Sequence, residues 1–291
     1  MINAFQEAYQ NYRFLLKLCT LESNKSFMSF QNKVVWITGA SSGIGKALTL
    51  ELSSQNALLI ISARNQESLE TVKKACKNPE NVWVLPLDLE QYKEFNKTAE
   101  QAIKVYGRID VLVNNGGISQ RSFAKDTLVA VDQKIMDVNY TGTVALTKAV
   151  LPYFLEKKQG HIVVTTSIVG KIGTPLRSSY AASKHALHGF FDSLRAEIYE
   201  ENIAVTLICP GFVSTNISMN ALTGNGTPQQ KMDTATANGI TPERFATLMA
   251  KAIKNKKEEA YIAGFKEKLA VYVKRWFPKL LSVMIRKLSV I

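Results

Sequence analysis

Short apolar runs rich in β-branched residues alternate with longer segments of helical spacing from residue 33 onward. The short runs predict seven strands, at 33–38, 57–63, 82–87, 110–114, 161–166, 203–208 and 259–263. The longer segments have Gly or Pro at their ends and predict helices at 44–55, 65–77, 91–106, 127–157, 178–201 and 242–255. Because the strands are apolar throughout rather than alternating, helices are expected to cover both faces of the sheet. The pattern therefore predicts an α/β fold, a doubly wound parallel sheet of about seven strands.

The regular elements place one domain at 31–264, with an N-terminal extension at 1–30 and a C-terminal tail at 265–291. Because Met28 opens a second natural start, the first 27 residues are interpreted either as an added helix or as the product of an upstream start. Residues 214–240 are polar and follow the sixth strand, where loops of an open α/β sheet face the ligand crevice. We interpret this segment as a mobile lid, with a long surface loop as the alternative.

The formal net charge is +12, and residues 251–291 hold eleven Lys or Arg against three Glu. No nucleic-acid-binding motif accompanies this charge, so we expect no nucleic-acid partner, and an ordinary solvated helix face accounts for much of it. Cys19, Cys76 and Cys209 are far apart and odd in number, which argues against a disulfide framework and a zinc site. This cysteine usage favours a reducing, cytoplasmic location. No apolar stretch reaches the roughly 18 residues that a membrane span needs.

The tail, 265–291, combines seven Lys or Arg and one Glu with aromatic and aliphatic residues. Such a composition suits a helix lying on a membrane surface, with Trp276 and Phe277 at the level of the headgroups, which would make the protein a peripheral membrane protein. Pro278 predicts two short helices rather than one. The alternative is that the apolar residues cover the far edge of the sheet or complete a subunit contact. The sequence leaves both interpretations open.

A glycine-rich turn, TGASSGIG at 38–45, lies between the first predicted strand and the first predicted helix. Its glycines allow backbone N–H groups to approach a pyrophosphate at the helix N-terminus. The spacing is TGxxxGxG, and a structural turn without a ligand is the alternative interpretation. The strand, turn and helix order around it favours a dinucleotide site.

With this turn, and with Tyr180 and Lys184 in a YxxxK pair, the chain resembles the short-chain dehydrogenase/reductase family over roughly 28–265. The further matches are Asp88-Leu89, Asn114-Asn115-Gly116-Gly117, Asn139 in MDVNY, and Pro210-Gly211 with Val213 and Thr215. The family usually has Ala where this chain has Gly116, an exchange of one small residue for another. The resemblance implies a Rossmann-type catalytic domain and an oxidoreductase that moves a hydride between a nicotinamide and a carbonyl or secondary alcohol. A small-molecule carbonyl or alcohol is then the expected substrate.

The same resemblance implies contacts for the cofactor. Asp88 would contact the adenine, Asn115 and Gly116 would flank the ribose, and Val213 and Thr215 would contact the carboxamide. The predicted cofactor-binding residues are Gly39, Ser41, Ser42, Gly43, Ile44, Gly45, Arg64, Asn65, Asp88, Leu89, Asn115, Gly116, Tyr180, Lys184, Pro210, Gly211, Val213 and Thr215.

The end of the second predicted strand decides between NAD and NADP. An acidic residue there would bind the ribose 2′-hydroxyl of NAD and repel a 2′-phosphate. This chain has Ser62-Ala63-Arg64-Asn65, without a carboxylate. Because a guanidinium suits a phosphate, Arg64 predicts NADP(H). Stacking of Arg64 on the adenine of either cofactor is the alternative.

The predicted catalytic residues are Asn139, Ser167, Tyr180 and Lys184. Tyr180 and Lys184 are four residues apart and therefore share one face of a predicted helix, thirteen residues after Ser167. A free phenol has a pKa of about 10, so acid–base work near neutral pH requires a nearby positive charge. The resemblance implies that Tyr180 exchanges the proton, Ser167 holds the substrate oxygen, and Lys184 lowers the tyrosine pKa and binds the ribose. Asn139 would hold a water that connects Lys184 to solvent.

The predicted pocket walls are mostly apolar and suggest an apolar or lipid-like substrate. They are Ile118, Ser119, Val169 to Ile172, Phe212, Ile217, Met219 and Leu222. Arg177 could anchor an anion, but we expect it to be an exposed surface residue. The segment 177–197 resembles the branch of dehydrogenase/reductase member 7B-like proteins.

Two other functions stay open at this point. One is a 3-oxoacyl carrier-protein reductase, which the basic surface would suit because carrier proteins are acidic. The other is a non-catalytic protein that senses NADP(H). We expect a homodimer or homotetramer.

No metal site is predicted. His185 and His188 lie three residues apart on the tyrosine helix, and His161 begins a strand, so structural roles are expected for all three. Cys209 is expected to be a small buried residue rather than a nucleophile.

Overall fold

The computed structural model describes residues 29–287, and within them the chain forms a seven-stranded, fully parallel sheet of order β3-β2-β1-β4-β5-β6-β7. Predictions for residues 1–28 therefore lie outside the described residues. The strands are β1 Val34–Thr38, β2 Leu58–Ser62, β3 Val82–Val84, β4 Val111–Asn114, β5 Gly160–Thr165, β6 Ile203–Pro210 and β7 Glu259–Ile262.

Within the described residues, ten α-helices connect the strands or follow the last one. They are α1 Gly43–Ser54, α2 Gln66–Lys74, α3 Phe95–Tyr106, α4 Val129–Met136, α5 Gly142–Lys157, α6 Ser178–Glu197, α7 Thr234–Ala237, α8 Pro242–Lys254, α9 Phe265–Trp276 and α10 Pro278–Lys287. Two buried apolar clusters lie on opposite faces of the sheet, because alternate residues of each strand point to opposite sides. In β1, Val35 belongs to one cluster and Trp36 to the other. The predicted doubly wound fold with helices on both faces is confirmed.

The strand order reverses at β1, which pairs with β2 on one side and β4 on the other. In such a sheet, the loops after the two central strands diverge and leave a crevice at the carboxyl edge. The glycine-rich turn follows β1 at Thr38, and the Asn-Asn-Gly-Gly segment follows β4 at Asn114. The motifs singled out in the sequence therefore meet at one place.

The predicted helix at 127–157 is the element that differs most from its prediction. It is interrupted by a π-helical turn at Asp137–Thr141, between α4 and α5. The side chain of Asn139, inside this turn, bonds to both backbone groups of Ile118, with Nδ2 donating to the carbonyl at 2.9 Å and Oδ1 accepting from the N–H at 2.8 Å. The π-helical turn therefore contains a residue, Asn139, that makes a tertiary contact. Such turns inside α-helices are frequent at functional sites.

Two short helices, α9 and α10, follow the sheet and separate at Pro278, as predicted. Their inner side packs with Ile168, Ile172 and Cys209, and with partly buried residues that follow or belong to the edge strand β7. Leu281 is the fully buried anchor of α10 in this cluster. One side of the tail therefore packs on residues of β6, β7 and the loop after β5, so part of its apolar surface is buried within this chain, while the subunit contact stays a prediction. Within residues 29–287, no helix has the length and apolar character needed to cross a bilayer.

Candidate active site

A cavity of about 880 Å³ opens at the carboxyl edge of the sheet. Loops after β1, β2, β4, β5 and β6 line it, together with α6 and the tail. Of the predicted cofactor-binding and catalytic residues, all but Gly45 and Asn139 line this cavity. A volume of this size matches the usual range for small-molecule and cofactor sites.

The glycine turn brings the backbone close to the cavity wall. Gly39 and Gly43 have positive φ angles of 64° and 53°, which L-residues with side chains rarely adopt. Ser42 precedes α1 in an extended conformation and makes no side-chain cap, so the first N–H groups of the helix are left for another acceptor. An uncapped helix N-terminus lined by glycine provides donors and a positive dipole end for a phosphate.

Gly45 lies behind this wall rather than in it. A Cβ atom there would collide with the carbonyl oxygen of Gly39 and lie 2.7 Å from Asn115 Nδ2. The third glycine therefore allows α1 to pack against the turn. Its contribution to a cofactor site is indirect, through the position of the helix.

The end of β2 forms one extremity of the cavity. Ser62, Ala63, Arg64 and Asn65 all line it. Asn65 also caps α2, with Oδ1 accepting from Ser68 N at 2.8 Å, which fixes the loop that carries Arg64. Arg64 is the cationic side chain of this short segment, and a carboxylate is absent from its four residues.

Asn115 braces the base of the cavity. Its Nδ2 donates to the carbonyl of Thr38 at 3.1 Å, and its Oδ1 accepts from Thr165 Oγ1 at 3.3 Å. Thr38 Oγ1 in turn accepts from the N–H groups of Asn115 and Gly116 at 3.0 Å. These hydrogen bonds hold the ends of β1, β4 and β5 together. The Asn115 side chain, which was predicted to contact the cofactor, therefore also has a structural role.

Ser167, Tyr180 and Lys184 converge on the opposite extremity. The Ser167 hydroxyl lies near the Tyr180 phenol and lowers its pKa as a hydrogen-bonding neighbour. Lys184 lies one helical turn after Tyr180, with Nζ 5.8 Å from the centre of the tyrosine ring, and donates to the carbonyl of Thr165 at 2.8 Å. Strand β5 and helix α6 therefore supply the three groups that the sequence predicted to act together.

The environment changes the proton affinities of two of these groups. Burial raises the pKa of Tyr180, while the hydrogen bond from Ser167 and the charges of Arg177 and Arg121 lower it, with a net shift upward. Burial also lowers the pKa of Lys184 to about 8. Both shifts show that charge on either group is disfavoured by the low polarity of the site, so a polar ligand or partner charge would alter them.

Asn139 does not reach the cavity. Besides its two bonds to Ile118, its Nδ2 donates to Ser183 Oγ at 3.0 Å, and the residue is fully buried. Ser183 is the neighbour of Lys184 on α6. The structure thus places Asn139 beneath α6, beside the residue before Lys184, and its predicted role in holding a water remains a prediction.

Arg177 corrects a prediction from the sequence. Expected to be exposed, it is 4% exposed, because Asp233 and the ring of Phe212 lie against it. Asp233 Oδ2 lies 3.4 Å from Arg177 Nη2 and accepts from Arg121 Nε at 2.7 Å. Burial is the main cause that lowers the pKa of Arg177 to about 10, followed by the charge of Arg121. No local pattern indicated this cluster, because Arg121, Arg177 and Asp233 come from distant segments.

The polar segment 214–240 covers one side of the cavity, in the position predicted for a lid. Asp233 within it is almost fully buried, and its pair with Arg121 fixes the segment to the loop after β4. Residues of the segment that line the cavity include Thr215, Ile217 and Leu222. The segment is therefore more than a long surface loop, which was the alternative interpretation. Its mobility stays a prediction.

Most of the predicted apolar walls are in place. Ile118, Ser119, Val169, Ile172, Phe212, Ile217 and Leu222 line the cavity. Met219, Gly170 and Lys171 do not, and the first of these is 37% exposed. The tail contributes a wall that the sequence did not reveal, made by Lys266, Glu267, Ala270, Leu281 and Ile285.

Glu267 attaches this wall to the loop after β6. Its Oε1 accepts from the N–H of Phe212 at 2.8 Å, and its Oε2 accepts from the N–H of Gly264. Phe212 lies between the Pro210-Gly211 pair, predicted to bind the cofactor, and Val213, predicted to contact the carboxamide. A partly buried hydrogen bond therefore joins the tail to the site, in addition to the apolar packing.

One cluster of potential metal ligands lies near the tail, formed by His188, Cys209 and Glu259. Burial raises the pKa of Cys209 to about 12, and Glu259 is already paired with Lys171 at 2.8 Å. A protonated thiol and an engaged carboxylate indicate an internal polar network. As predicted, Cys209 is a small buried residue, and His161 is buried with Nε2 2.8 Å from Thr206 Oγ1.

Comparison with known proteins identifies relatives over most of the chain. The family model described as short chain dehydrogenase matches residues 33–226. Dehydrogenase/reductase SDR family member 7B of Xenopus laevis is 39% identical over 279 residues, which cover 94% of this chain and 84% of that protein. Dehydrogenase/reductase SDR family member 7 of Homo sapiens is 43% identical over 251 residues, covering 84% and 74% of the two chains.

Solved structures show the same fold. A short-chain dehydrogenase from Streptomyces avermitilis aligns with a TM-score of 0.74 and 24% identity over 87% of this chain and 96% of that chain. A short chain dehydrogenase/reductase from Burkholderia phymatum, in complex with NAD, aligns with a TM-score of 0.76 and 23% identity over the same shares. At these identities, the likeness concerns the arrangement of the backbone.

Proposed function

Because this chain belongs to the short-chain dehydrogenase/reductase family, we propose that it transfers a hydride between NADP(H) and a carbonyl or secondary alcohol, with Tyr180 as general acid and base. The predicted family resemblance is confirmed, and oxidoreductase activity with a nicotinamide cofactor is what that family implies. The choice of NADP, the role of Tyr180 and an apolar substrate are the finer parts of the proposal.

One observation carries the catalytic part: Ser167, Tyr180 and Lys184 line the same cavity as the glycine turn. The nicotinamide cofactor, when bound, supplies or accepts the hydride. In the reducing direction, Tyr180 donates its proton to the substrate oxygen, while Ser167 orients that oxygen by a hydrogen bond. Lys184 is close enough to stabilise the phenolate by its charge. In the oxidising direction, Tyr180 removes the proton.

The shape of the cavity supports a dinucleotide. Gly39 and Gly43 leave its wall without side chains, and the uncapped start of α1 presents N–H groups there. A Cβ on Gly39 would lie 2.7 Å from the Cα of Gly116, so the two motifs pack at a distance that only glycine permits. These residues fit a pyrophosphate. At the other end, Arg64 supports a 2′-phosphate because a guanidinium pairs well with phosphate oxygens.

The walls near Tyr180 support an apolar substrate. Ile118, Val169, Ile172 and Phe212 surround the end of the cavity where the substrate oxygen would lie. The tail adds Ala270, Leu281 and Ile285 to the same region. A ketone or alcohol with an aliphatic or ring system would bury its carbon skeleton against these side chains, which is favourable in proportion to the area removed from water.

The test compares purified parent protein with Tyr180→Phe and with Tyr153→Phe, a matched loss of a phenol on α5. NADPH oxidation is measured against a panel of apolar ketones and 3-oxoacyl thioesters, and repeated with NADH. We expect turnover of apolar ketones by the parent and by Tyr153→Phe, and a loss of about 10²–10⁴-fold or more in Tyr180→Phe, the range of general acid catalysis.

Cofactor binding is measured in parallel by titration of NADPH fluorescence. Tyr180→Phe should bind NADPH nearly as the parent does, since the ring is retained. Undiminished turnover by Tyr180→Phe would refute the catalytic assignment. Binding of NADPH without turnover of any carbonyl by the parent would indicate a sensing protein, and selective turnover of the thioesters would indicate a 3-oxoacyl carrier-protein reductase.

A further inference from the structure

The outer side of helices α9 and α10 presents a continuous set of exposed large apolar side chains. In α9 they recur at helical spacing, so they form one stripe along the helix. The set consists of Phe265, Leu269, Tyr272, Trp276, Phe277, Leu280, Val283 and Met284. Phe265 and Trp276 are 78% and 73% exposed. A set of this size on adjacent turns is larger than the single apolar residues that are normal on a protein surface.

The inner side of the same helices is already occupied. Ala270 of α9 and Leu281 and Ile285 of α10 pack in the cluster with Cys209 or line the cavity. Glu267 holds the start of α9 to the Phe212 N–H. Because these contacts fix the inner side, the exposed stripe faces away from the protein, and the described residues leave it in contact with solvent.

Basic residues flank the stripe. With about 3.6 residues per turn, Lys268 and Arg275 lie on one flank of the α9 stripe, and Lys279 and Arg286 lie at the sides of α10. All four are exposed. The sole acidic residue of 265–287 is Glu267, whose carboxylate is bonded to backbone N–H groups. The stripe is therefore apolar at its centre and positive at its borders.

We propose that this outer side of α9 and α10 binds an anionic lipid surface. An amphipathic helix that carries aromatic residues on one side and Lys or Arg beside them suits the boundary between headgroups and acyl chains. The aromatic rings at the junction of the two helices, Trp276 and Phe277, lie where interfacial anchors are effective. Each basic side chain near an anionic membrane surface adds about 1 kcal/mol of attraction. A protein partner would attract these side chains in the same way only through an acidic patch.

This surface also has a defined relation to the cavity. The two helices that would lie on the lipid contribute Lys266, Ala270, Leu281 and Ile285 to the cavity lining. One wall of the cavity is thus a layer one helix thick, with the lipid on its outer side.

Vesicle sedimentation with the full chain tests the proposal. Vesicles of phosphatidylcholine alone are compared with vesicles that also contain phosphatidylserine. The parent should sediment with the anionic vesicles, less at high salt. Leu269→Ser/Trp276→Ser should reduce the bound fraction at limiting lipid by at least about tenfold, because each large apolar side chain contributes that much on burial. Tyr199→Ser is the matched control, since Tyr199 is 82% exposed in the turn between α6 and β6, at the amino end of β6, whereas the tail packs near the carboxyl end of that strand.

Charge is tested with Lys268→Glu/Arg275→Glu, which should lose binding to anionic vesicles and leave any weak binding to phosphatidylcholine unchanged. Circular dichroism and the thermal midpoint of each variant show that its fold is retained. Absence of parent binding to anionic vesicles, or equal binding by Leu269→Ser/Trp276→Ser, overturns the proposal. So does a parent whose solution mass by light scattering is halved by that double variant, because the stripe would then be a contact between two copies of this chain.

Discussion

Asp233→Asn is the substitution for which the structure predicts the largest effect away from the reacting groups. The Asp233 side chain is 0% exposed and lies between two guanidinium groups, Arg121 at 7% and Arg177 at 4%. Arg121 donates to Oδ2 through Nε at 2.7 Å and through Nη2 at 2.5 Å. Removing the carboxylate charge leaves two buried positive groups facing each other without their common counterion.

The expected cost in free energy of unfolding follows from this burial. Breaking a buried ion pair by removing one partner costs about 3–5 kcal/mol, because the remaining charge is uncompensated. Asp126→Asn is the control, since Asp126 pairs with Lys125 in an exposed position. Such a pair contributes only about 0–1 kcal/mol. Both values are obtained from urea unfolding followed by circular dichroism, with the cofactor absent.

The pH dependence gives a second readout. Burial alone would raise the pKa of Asp233, but its hydrogen bonds with Arg121 and Gln229 and the charges of both guanidiniums outweigh it and hold the pKa below its ordinary value. A depressed carboxyl pKa contributes stability above the unfolded value of ~4, and this contribution is lost as the pH falls through the folded value. The difference between parent and Asp233→Asn should therefore be complete near neutral pH and shrink at acidic pH.

Kinetics connect the pair to Tyr180. Burial raises the pKa of Tyr180, and the charges of Arg177 and Arg121 are among the causes that lower it. Removing the negative charge of Asp233, which pairs with both guanidiniums, strengthens their combined positive field at the phenol. In the reducing direction Tyr180 must be protonated, so Asp233→Asn should move the alkaline limb of the pH profile for carbonyl reduction to lower pH. A loss of less than about 1 kcal/mol at neutral pH, equal to that of Asp126→Asn, would refute the reasoning. So would a stability difference that grows on acidification.

Two further predictions concern the cofactor site. Arg64→Ala should weaken NADPH binding by roughly 1.5–3 kcal/mol, the contribution of a hydrogen bond to a charged group, and should scarcely change NADH binding. Equal losses for both cofactors in fluorescence titrations would favour stacking on the adenine instead. Gly45→Ala should destabilise the protein by about 1–3 kcal/mol and weaken NADPH binding, because the new Cβ collides with the Gly39 carbonyl and approaches Asn115 Nδ2. Gly189→Ala is its control, since nothing lies within 4 Å of a Cβ at that helical position, and a thermal midpoint of Gly45→Ala equal to that of Gly189→Ala would contradict the packing argument.

The parts of the fold that the sequence predicted are those in which a short segment contains its own signal. All seven strands were found, because buried parallel strands are apolar runs between turn residues. The glycine turn and the YxxxK pair were recognised for the same reason, since each is a pattern of spacing within eight residues or fewer. The split at Pro278 also follows from a single residue, whose ring cannot continue a helix.

The parts that the sequence did not predict depend on contacts between distant segments. Nothing around Arg177 distinguishes a buried from an exposed arginine, because its partner Asp233 lies 56 residues away. The π-helical turn at Asp137–Thr141 contains Asn139, whose amide bonds to Ile118, 21 residues earlier in the chain. Local helix propensity favours an uninterrupted α-helix at 137–141. The π-helical turn occurs instead where Asn139 makes its tertiary hydrogen bonds.

Glu267 shows how one contact between distant segments sets the orientation of the two tail helices. Within the tail it is one acidic residue among many basic ones, and charge pattern alone would treat it as part of a solvated face. Its carboxylate instead accepts from the Phe212 N–H, 55 residues earlier in the chain and beside the predicted nicotinamide contacts. Since this bond and the burial of Leu281 fix both helices of the tail, the direction in which the exposed stripe faces is set by the site itself. The orientation of the stripe relative to the cavity is therefore a property of the folded chain and could not have been read from the composition of the tail.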